Sequence, residues 1–110
     1  MLFAKKDPIA KMQAGIFHYL RSEGENKKRL HLRIDPDGYS TLLVNASRVF
    51  HFNPSATFMA KTYLDETSDE VVIQGLIRRF QVSKQQATQD YHAFKEQLSA
   101  AAMGRFGSGW

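Results

Sequence analysis

The chain has 110 residues, of which 43% are hydrophobic and 24% are charged, a balance typical of a single soluble globular domain. It contains 15 lysines and arginines against 11 acidic residues, and the net charge of +4 permits an acidic or nucleic-acid partner without requiring one. No cysteine is present, which excludes disulfides, thiolate zinc sites, iron–sulfur clusters and a cysteine nucleophile within these residues.

Three segments differ in composition along the chain. Residues 1–14 lack a clear period and contain Pro8, so we expect a flexible N-terminal arm. Residues 15–101 hold every predicted element and form one domain, and residues 102–110 are glycine-rich, as a tail or linker would be. The chain begins without the apolar core of a signal peptide and has no apolar run near the roughly 20 residues of a membrane span. We therefore expect a cytoplasmic protein without membrane contact.

The first half of the domain has the alternation and punctuation of strands. The segments GIFHYLR, RLHLRID, YSTLLV and VFHF are separated by the turn sequences SEGENKK, DPDG and NASR. This spacing predicts an antiparallel meander of three to four strands.

The predicted register assigns the two faces of the sheet. If DPDG and NASR are the complete turns, Leu43 lies opposite both Leu30 and Phe50, and Thr41 lies opposite Phe52. The core face would then carry Phe17, Tyr19, Leu30, Leu32, Ile34, Leu43, Phe50 and Phe52. The opposite face would carry Ile16, His18, Leu20, His31, Arg33, Leu42, Val44, Val49 and His51. That second face is more apolar than a fully solvated one, so either the N-terminal arm covers it or it mediates a homodimer.

Three helices are predicted after the strands. Asn53 is a good N-cap and Pro54 a good first helical residue, so the last strand must stop at this corner. Two capping boxes, Thr67 with Glu70 and Ser83 with Gln86, predict the starts of the second and third helices. Strands followed by helices indicate an α+β domain with the helices on one face of the sheet.

The residues that catalysis requires are missing from these segments. The sequence has no glycine-rich phosphate loop and no paired metal-ligand motif, and Asp35 and Asp37 fit a turn better than a calcium site. His18 is expected opposite His31, but His51 lies two strands away, which favours ordinary half-exposed histidines over a metal centre. We predict a non-enzyme without cofactor or metal.

Nucleic-acid binding is one binding hypothesis. Helices beside a sheet are compatible with a winged-helix DNA-binding regulator. The third helix also carries residue types that read base edges in a DNA groove: Lys84, Gln85, Gln86, Gln89 and His92. Asp90 and Glu96 on the same helix oppose DNA binding, so nucleic acid is the less favoured partner.

Peptide binding is the other hypothesis. The strand at residues 48–52 would lie at a sheet edge, where an added strand can pair with it. Lys84, Thr88, His92 and Lys95 recur at helical spacing and would suit an acidic peptide. From the residues alone, two interpretations are equally favoured: a peptide-binding groove between this strand and the third helix, or a strand edge that the Arg48 charge merely protects from pairing.

The residues from Leu30 to about Leu98 resemble the PqqD-like family of peptide chaperones, the recognition elements for ribosomally made, modified peptides. The resemblance is centred on FHFN-x-S-A, from Phe50 to Ala56. Phe52 replaces the family's leucine, and Glu66 replaces the glycine that usually follows the acidic residue matched by Asp65.

The resemblance implies a winged-helix-like domain without catalysis that binds a leader peptide between its third strand and third helix. It also implies a modifying enzyme as partner, often a radical S-adenosylmethionine enzyme. Carried over, the strand is residues 49–52 and the helix residues 83–98. The expected peptide-binding residues are Arg48, Val49, Phe50, His51, Phe52, Lys84, Thr88, Tyr91, His92 and Lys95. The hairpin at residues 15–28 exceeds the minimal family pattern, and the glycine-rich tail would suit the front end of a larger enzyme.

Overall fold

Four antiparallel strands precede three helices, which confirms the predicted α+β arrangement. The protein is described by a computed structural model that covers residues 12–23 and 25–102. The strands lie side by side in chain order as β1 (Gly15–Glu23), β2 (Asn26–Ile34), β3 (Ser40–Val44) and β4 (Arg48–Phe52). The helices are α1 (Pro54–Leu64), α2 (Asp69–Phe80) and α3 (Lys84–Ala102).

The predicted arm and tail fall mostly outside the described residues. Of the arm, the structure describes residues 12–14, and Met12 packs against the hydrophobic core. Of the tail, it describes Ala102 alone, which ends α3. Among the helices of the described ranges, none is long and apolar enough to span a bilayer.

β3 is displaced by one residue from the predicted register. Leu42 lies opposite both Leu32 and Phe50, whereas the prediction placed Leu43 at the equivalent position. Leu42 and Val44 therefore face the helices and are buried, while Leu43 lies on the sheet face away from the helices, here called the outer face. The predicted faces of this strand were wrong.

The two turns that flank β3 explain the displacement. The first runs through residues 35–39 and is closed by the Asp35 N–H donating to the Tyr39 carbonyl at 2.9 Å, one residue longer than DPDG. The second runs through residues 45–47, with Asn45 and Ala46 at φ 53° and 61°, one residue shorter than NASR. Each difference shifts β3 by one residue, and a one-residue shift swaps the faces of a strand. The two shifts cancel at β4, which keeps its predicted faces.

The predicted helix starts are confirmed at α1 and α3. The Asn53 side chain accepts a hydrogen bond from the Ala56 N–H at 2.9 Å ahead of Pro54. The Ser83 hydroxyl accepts from the Gln86 N–H at 3.0 Å. Both are N-caps that satisfy an otherwise unpaired donor of the first helical turn.

The predicted cap of α2 was wrong by one residue. Ser68 is the N-cap, because its hydroxyl accepts from the Val71 N–H at 3.4 Å. The Thr67 N–H instead donates to the Thr62 carbonyl at 3.0 Å and so completes the end of α1. Thr67 therefore belongs to the turn that closes the preceding helix.

Two adjoining clusters form the hydrophobic core. The first joins the inner face of the sheet to Leu64 and Leu98, and the second lies between the helices around Phe58 and Tyr91. Phe94 packs against both clusters. A buried pair of hydroxyls, Ser40 on β3 and Thr57 on α1, is joined at 2.6 Å. The sheet and α1 are thus held by a polar contact as well as by apolar packing.

Side chains of β1 form hydrogen bonds with the end of α1. The Tyr19 hydroxyl donates to the Asp65 carboxylate at 2.7 Å, and the Arg21 guanidinium donates to the Leu64 carbonyl at 2.7 Å. Lys61 lies over the Phe17 ring at 4.5 Å from its centroid. These contacts satisfy a terminal helix carbonyl and hold the first strand against the helical layer.

Candidate functional site

An apolar cavity separates the free edge of β4 from α3. Within the described residues, β4 pairs with β3 alone, so its other edge has no strand beside it. The cavity next to this edge has a volume of about 320 Å³. It is lined by Phe50, Phe52, Ala56, Phe94, Gln97 and Leu98. We call the space between the β4 edge and this helix the β4–α3 groove.

Each wall of the groove comes from an element that is fixed by packing. Phe50 and Phe52 point toward the helices because alternate residues of β4 share a face. Ala56 lies in the first turn of α1, directly after the Asn53 corner. Leu98 is only 4% exposed and belongs to the first core cluster, so the α3 wall is anchored in the core.

The residues predicted on β4 divide between its two faces. Phe50 and Phe52 line the cavity, and Arg48 shares their side of the strand and is half-buried. Val49 and His51 lie on the outer face, where Val49 is 52% exposed and the His51 ring nitrogen is 3.4 Å from the Thr41 hydroxyl. The backbone of all five residues remains at the sheet edge.

The residues predicted on α3 do not line the cavity. Tyr91 is 1% exposed and packs between the helices. The Lys95 ammonium lies 2.8 Å from the Asp69 carboxylate of α2 and 4.9 Å from the centroid of the Tyr91 ring. Lys84 and Thr88 lie on the same flank of the helix as Lys95, with the Thr88 hydroxyl donating to the Lys84 carbonyl at 2.7 Å.

His92, the remaining predicted residue of α3, is exposed and also absent from the cavity lining. The structure thus turns the predicted polar flank of α3 toward α2 and solvent and the Phe94 flank toward β4. Burial, followed by the nearby Asp69 charge, raises the pKa of Tyr91 to about 12, so this phenol is neutral at physiological pH.

Four groove residues were missed by the sequence analysis: Ala56, Phe94, Gln97 and Leu98. Phe94 and Leu98 belong to the apolar stripe of α3, which packs against the core, and one border of this stripe stays open toward β4. Gln97 is polar and exposed and stands next to that border. The sequence signal for this wall was the spacing of Phe94, Gln97 and Leu98, at i, i+3 and i+4, which puts the three residues on one flank of the helix.

The histidines and acidic side chains of the described residues form no cluster that could hold a metal: no three of them lie close enough together. His18 and His31 are direct cross-strand partners with ring centroids 4.5 Å apart, as predicted. His51 lies opposite Thr41 and is not aligned with that pair.

The turn after α1 accounts for one departure from the family pattern. Glu66 adopts φ 62°, in the left-handed region that glycine occupies without strain. The chain therefore keeps the turn geometry of a glycine position while carrying a glutamate, whose carboxylate lies 3.3 Å from Arg21 on β1.

Comparison with known proteins found one family whose model matches most of the chain. The family model of coenzyme PQQ synthesis protein D matches residues 33–103, which are more than half of the chain and include β3, β4 and the helices. No match was found among curated proteins or among solved structures. The chain therefore belongs to the PqqD family, which confirms the resemblance drawn from its strand, Asn-Pro corner and helices.

Proposed function

We propose that this protein is a non-catalytic, cytoplasmic peptide-binding module. It captures the leader of a ribosomally synthesised precursor peptide as an added strand on β4 and presents the peptide to a modifying enzyme. Family membership supports a peptide and an enzyme as partners, and a radical S-adenosylmethionine enzyme is the partner class we propose.

The observation that carries this proposal is the pairing of a free strand edge with an adjacent apolar cavity. An edge strand offers unpaired N–H and C=O groups, which bind an extended peptide with little dependence on sequence. Side-chain specificity then comes from pockets beside the strand. The Arg48–Phe52 edge and the cavity of about 320 Å³ provide these two components in one place.

The lining predicts the kind of side chain that the leader inserts. Three aromatic rings and a leucine surround the cavity, and Gln97 is the one polar residue among those that line it. The volume is at the small end of ligand pockets, which span roughly 300–1,000 Å³, and suits one large apolar side chain better than a cofactor. Because Lys95 is paired with Asp69 on the far flank, we infer an apolar anchor in place of the acidic one expected earlier.

The test is an NMR titration of the ¹⁵N-labelled full chain with a candidate leader peptide. We expect shifts concentrated at the amides of β4 and along α3 near Phe94, Gln97 and Leu98. His51→Pro removes one N–H of β4, and if that N–H faces the peptide, binding should fall at least tenfold while the spectrum stays folded.

A parallel titration with duplex DNA at moderate salt distinguishes the alternative. Shifts confined to exposed α3 residues such as Lys84 and Gln85, weakening steeply with salt, would replace the peptide proposal with DNA binding. Peptide-induced shifts that avoid β4 would also overturn the strand-addition mode.

A further inference from the structure

The second edge of the sheet, β1, differs from the β4 edge in length and surroundings. β1 spans nine residues against five in β4 and pairs only with β2 among the described residues. It also precedes the family match, which begins at Arg33. This edge is therefore an addition to the matched family region.

The centre of β1 lacks the devices that protect natural edge strands. Such strands are usually short, bulged, or interrupted by proline or charge, because an open edge pairs with other strands. Residues 16–20 read IFHYL, with no proline and no formally charged residue. Their register with β2 continues without a bulge from Gly15 to Glu23. Ile16 and Leu20 are 59% and 57% exposed.

The strand is nevertheless well held in place. The Tyr19 hydroxyl donates to the Asp65 carboxylate and the Arg21 guanidinium to the Leu64 carbonyl, so β1 is held from the helix side. Among the described residues, no strand pairs with its other edge. A strand that is already ordered loses little conformational entropy when a second strand pairs with it. β1 is thus a preorganised pairing edge.

The sequence of this edge has the same residue classes in both directions. Residues 16–20 are aliphatic, aromatic, histidine, aromatic and aliphatic. In an antiparallel pair centred on His18, Ile16 would lie opposite Leu20 and Phe17 opposite Tyr19 of the other copy. Centring the pair on Tyr19 would instead oppose Phe17 to Arg21. The first register opposes apolar residues on both sides of the central His18 pair.

We propose that two copies of this chain associate through their β1 edges, antiparallel and centred on His18, into one continuous sheet with four strands from each copy. Packing of the two outer faces against each other would instead remove from water the exposed Arg29 side chains of both copies and the ion pair between Arg33 and Asp35, which is costly for charged groups. Edge pairing leaves these side chains in water and leaves the β4 edge exposed at both ends of the joined sheet.

The first experiment measures the mass of the full chain by sedimentation velocity from micromolar to millimolar concentration. We expect a dimer to grow with concentration. Ile16→Glu/Leu20→Glu, at two exposed positions, should raise the dimer dissociation constant at least tenfold because two carboxylates then face each other across each pair. Mixing it with Ile16→Lys/Leu20→Lys should restore a heterodimer, since the proposed register opposes positions 16 and 20.

The second experiment fixes the centre of the register. The chain has no cysteine, so His18→Cys places a single thiol at the proposed axis. Residues directly opposite in an antiparallel pair have Cα atoms about 4.5–5.5 Å apart, within the range of a disulfide. Mild oxidation should therefore link two copies of this variant. Val49→Cys, on the outer face of β4, is the matched exposed control and should stay unlinked.

Three results would overturn the proposal: a monomer at every concentration, charge variants that dimerise like the unmodified chain, or linkage at position 49 but not at position 18. The last result would favour packing through the outer faces.

Discussion

The ring of Phe52, at the end of β4, meets the ring of Phe94 on α3 edge to face, with centroids 5.7 Å apart. This contact joins the strand that offers the open edge to the helix that forms the opposite wall. Because Phe94 also packs against both core clusters, the width of the β4–α3 groove is set by core packing. Substitutions that test binding should therefore alter the cavity without removing these rings.

Filling the cavity from α1 should block the peptide while preserving the fold. Ala56→Met adds a flexible apolar side chain to the cavity lining. If the leader inserts a side chain there, its affinity should fall at least tenfold, equivalent to about 1.4 kcal/mol. Isothermal titration with the leader peptide measures this change. Ala93→Met, at an exposed alanine of α3 outside the lining, is the control, and equal affinities for both variants would remove the cavity from the site.

Lys95 distinguishes the groove seen in the structure from the one expected from helical spacing. Its ammonium is paired with Asp69, and a partly exposed pair of this kind contributes about 0–1 kcal/mol to stability. We expect Lys95→Ala to change leader affinity by less than about twofold, because distant sites act independently. If Lys95→Ala lowers the leader affinity tenfold or more, the peptide contacts the flank of α3 that faces α2.

The hydroxyl pair of Ser40 and Thr57 should show strong coupling. Thr57→Val leaves the buried Ser40 hydroxyl without its partner, and an unsatisfied buried group costs about 1–3 kcal/mol. Replacing both, as Ser40→Ala/Thr57→Val, should recover part of that loss. Urea unfolding of the two single variants and the double variant gives the coupling, and strict additivity would contradict the pairing.

Tyr91 should make the fold sensitive to alkali. Its pKa rises from 10.0 to about 12 on folding, chiefly because of burial, so folding favours the neutral phenol. That stabilisation is complete below pH 10 and is lost as the pH rises from 10 to about 12, because the unfolded state ionises first. Burial and the bond to Asp65 also raise the pKa of Tyr19, which acts in the same direction.

Thermal unfolding midpoints measured between pH about 8 and about 11 test this dependence. The midpoint should fall over the upper part of that range, and Tyr91→Phe should fall less steeply than the unmodified chain. Parallel slopes for the two proteins would show that Tyr91 does not contribute.

The corner at Asn53 shows that the boundary between a strand and a helix can be predicted from adjacent residues. Proline cannot donate to a sheet and favours the first turn of a helix, so the end of β4 and the start of α1 follow from two adjacent residues. The strand that carries the proposed site, Arg48–Phe52, was predicted for the same reason. Turn length was not predictable in this way, since residues 45–47 adopt two consecutive left-handed conformations without a glycine.

The sequence by itself determined the order of strands and helices, the family, and the edge strand beside the Asn53 corner, because these depend on alternation, capping and short motifs. Only the tertiary structure decided which flank of α3 faces that edge. An apolar stripe has two borders that spacing alone cannot distinguish. In the structure, α2 packs against one border of the stripe, where Asp69 pairs with Lys95. The other border, at Phe94, faces β4 and lines the cavity.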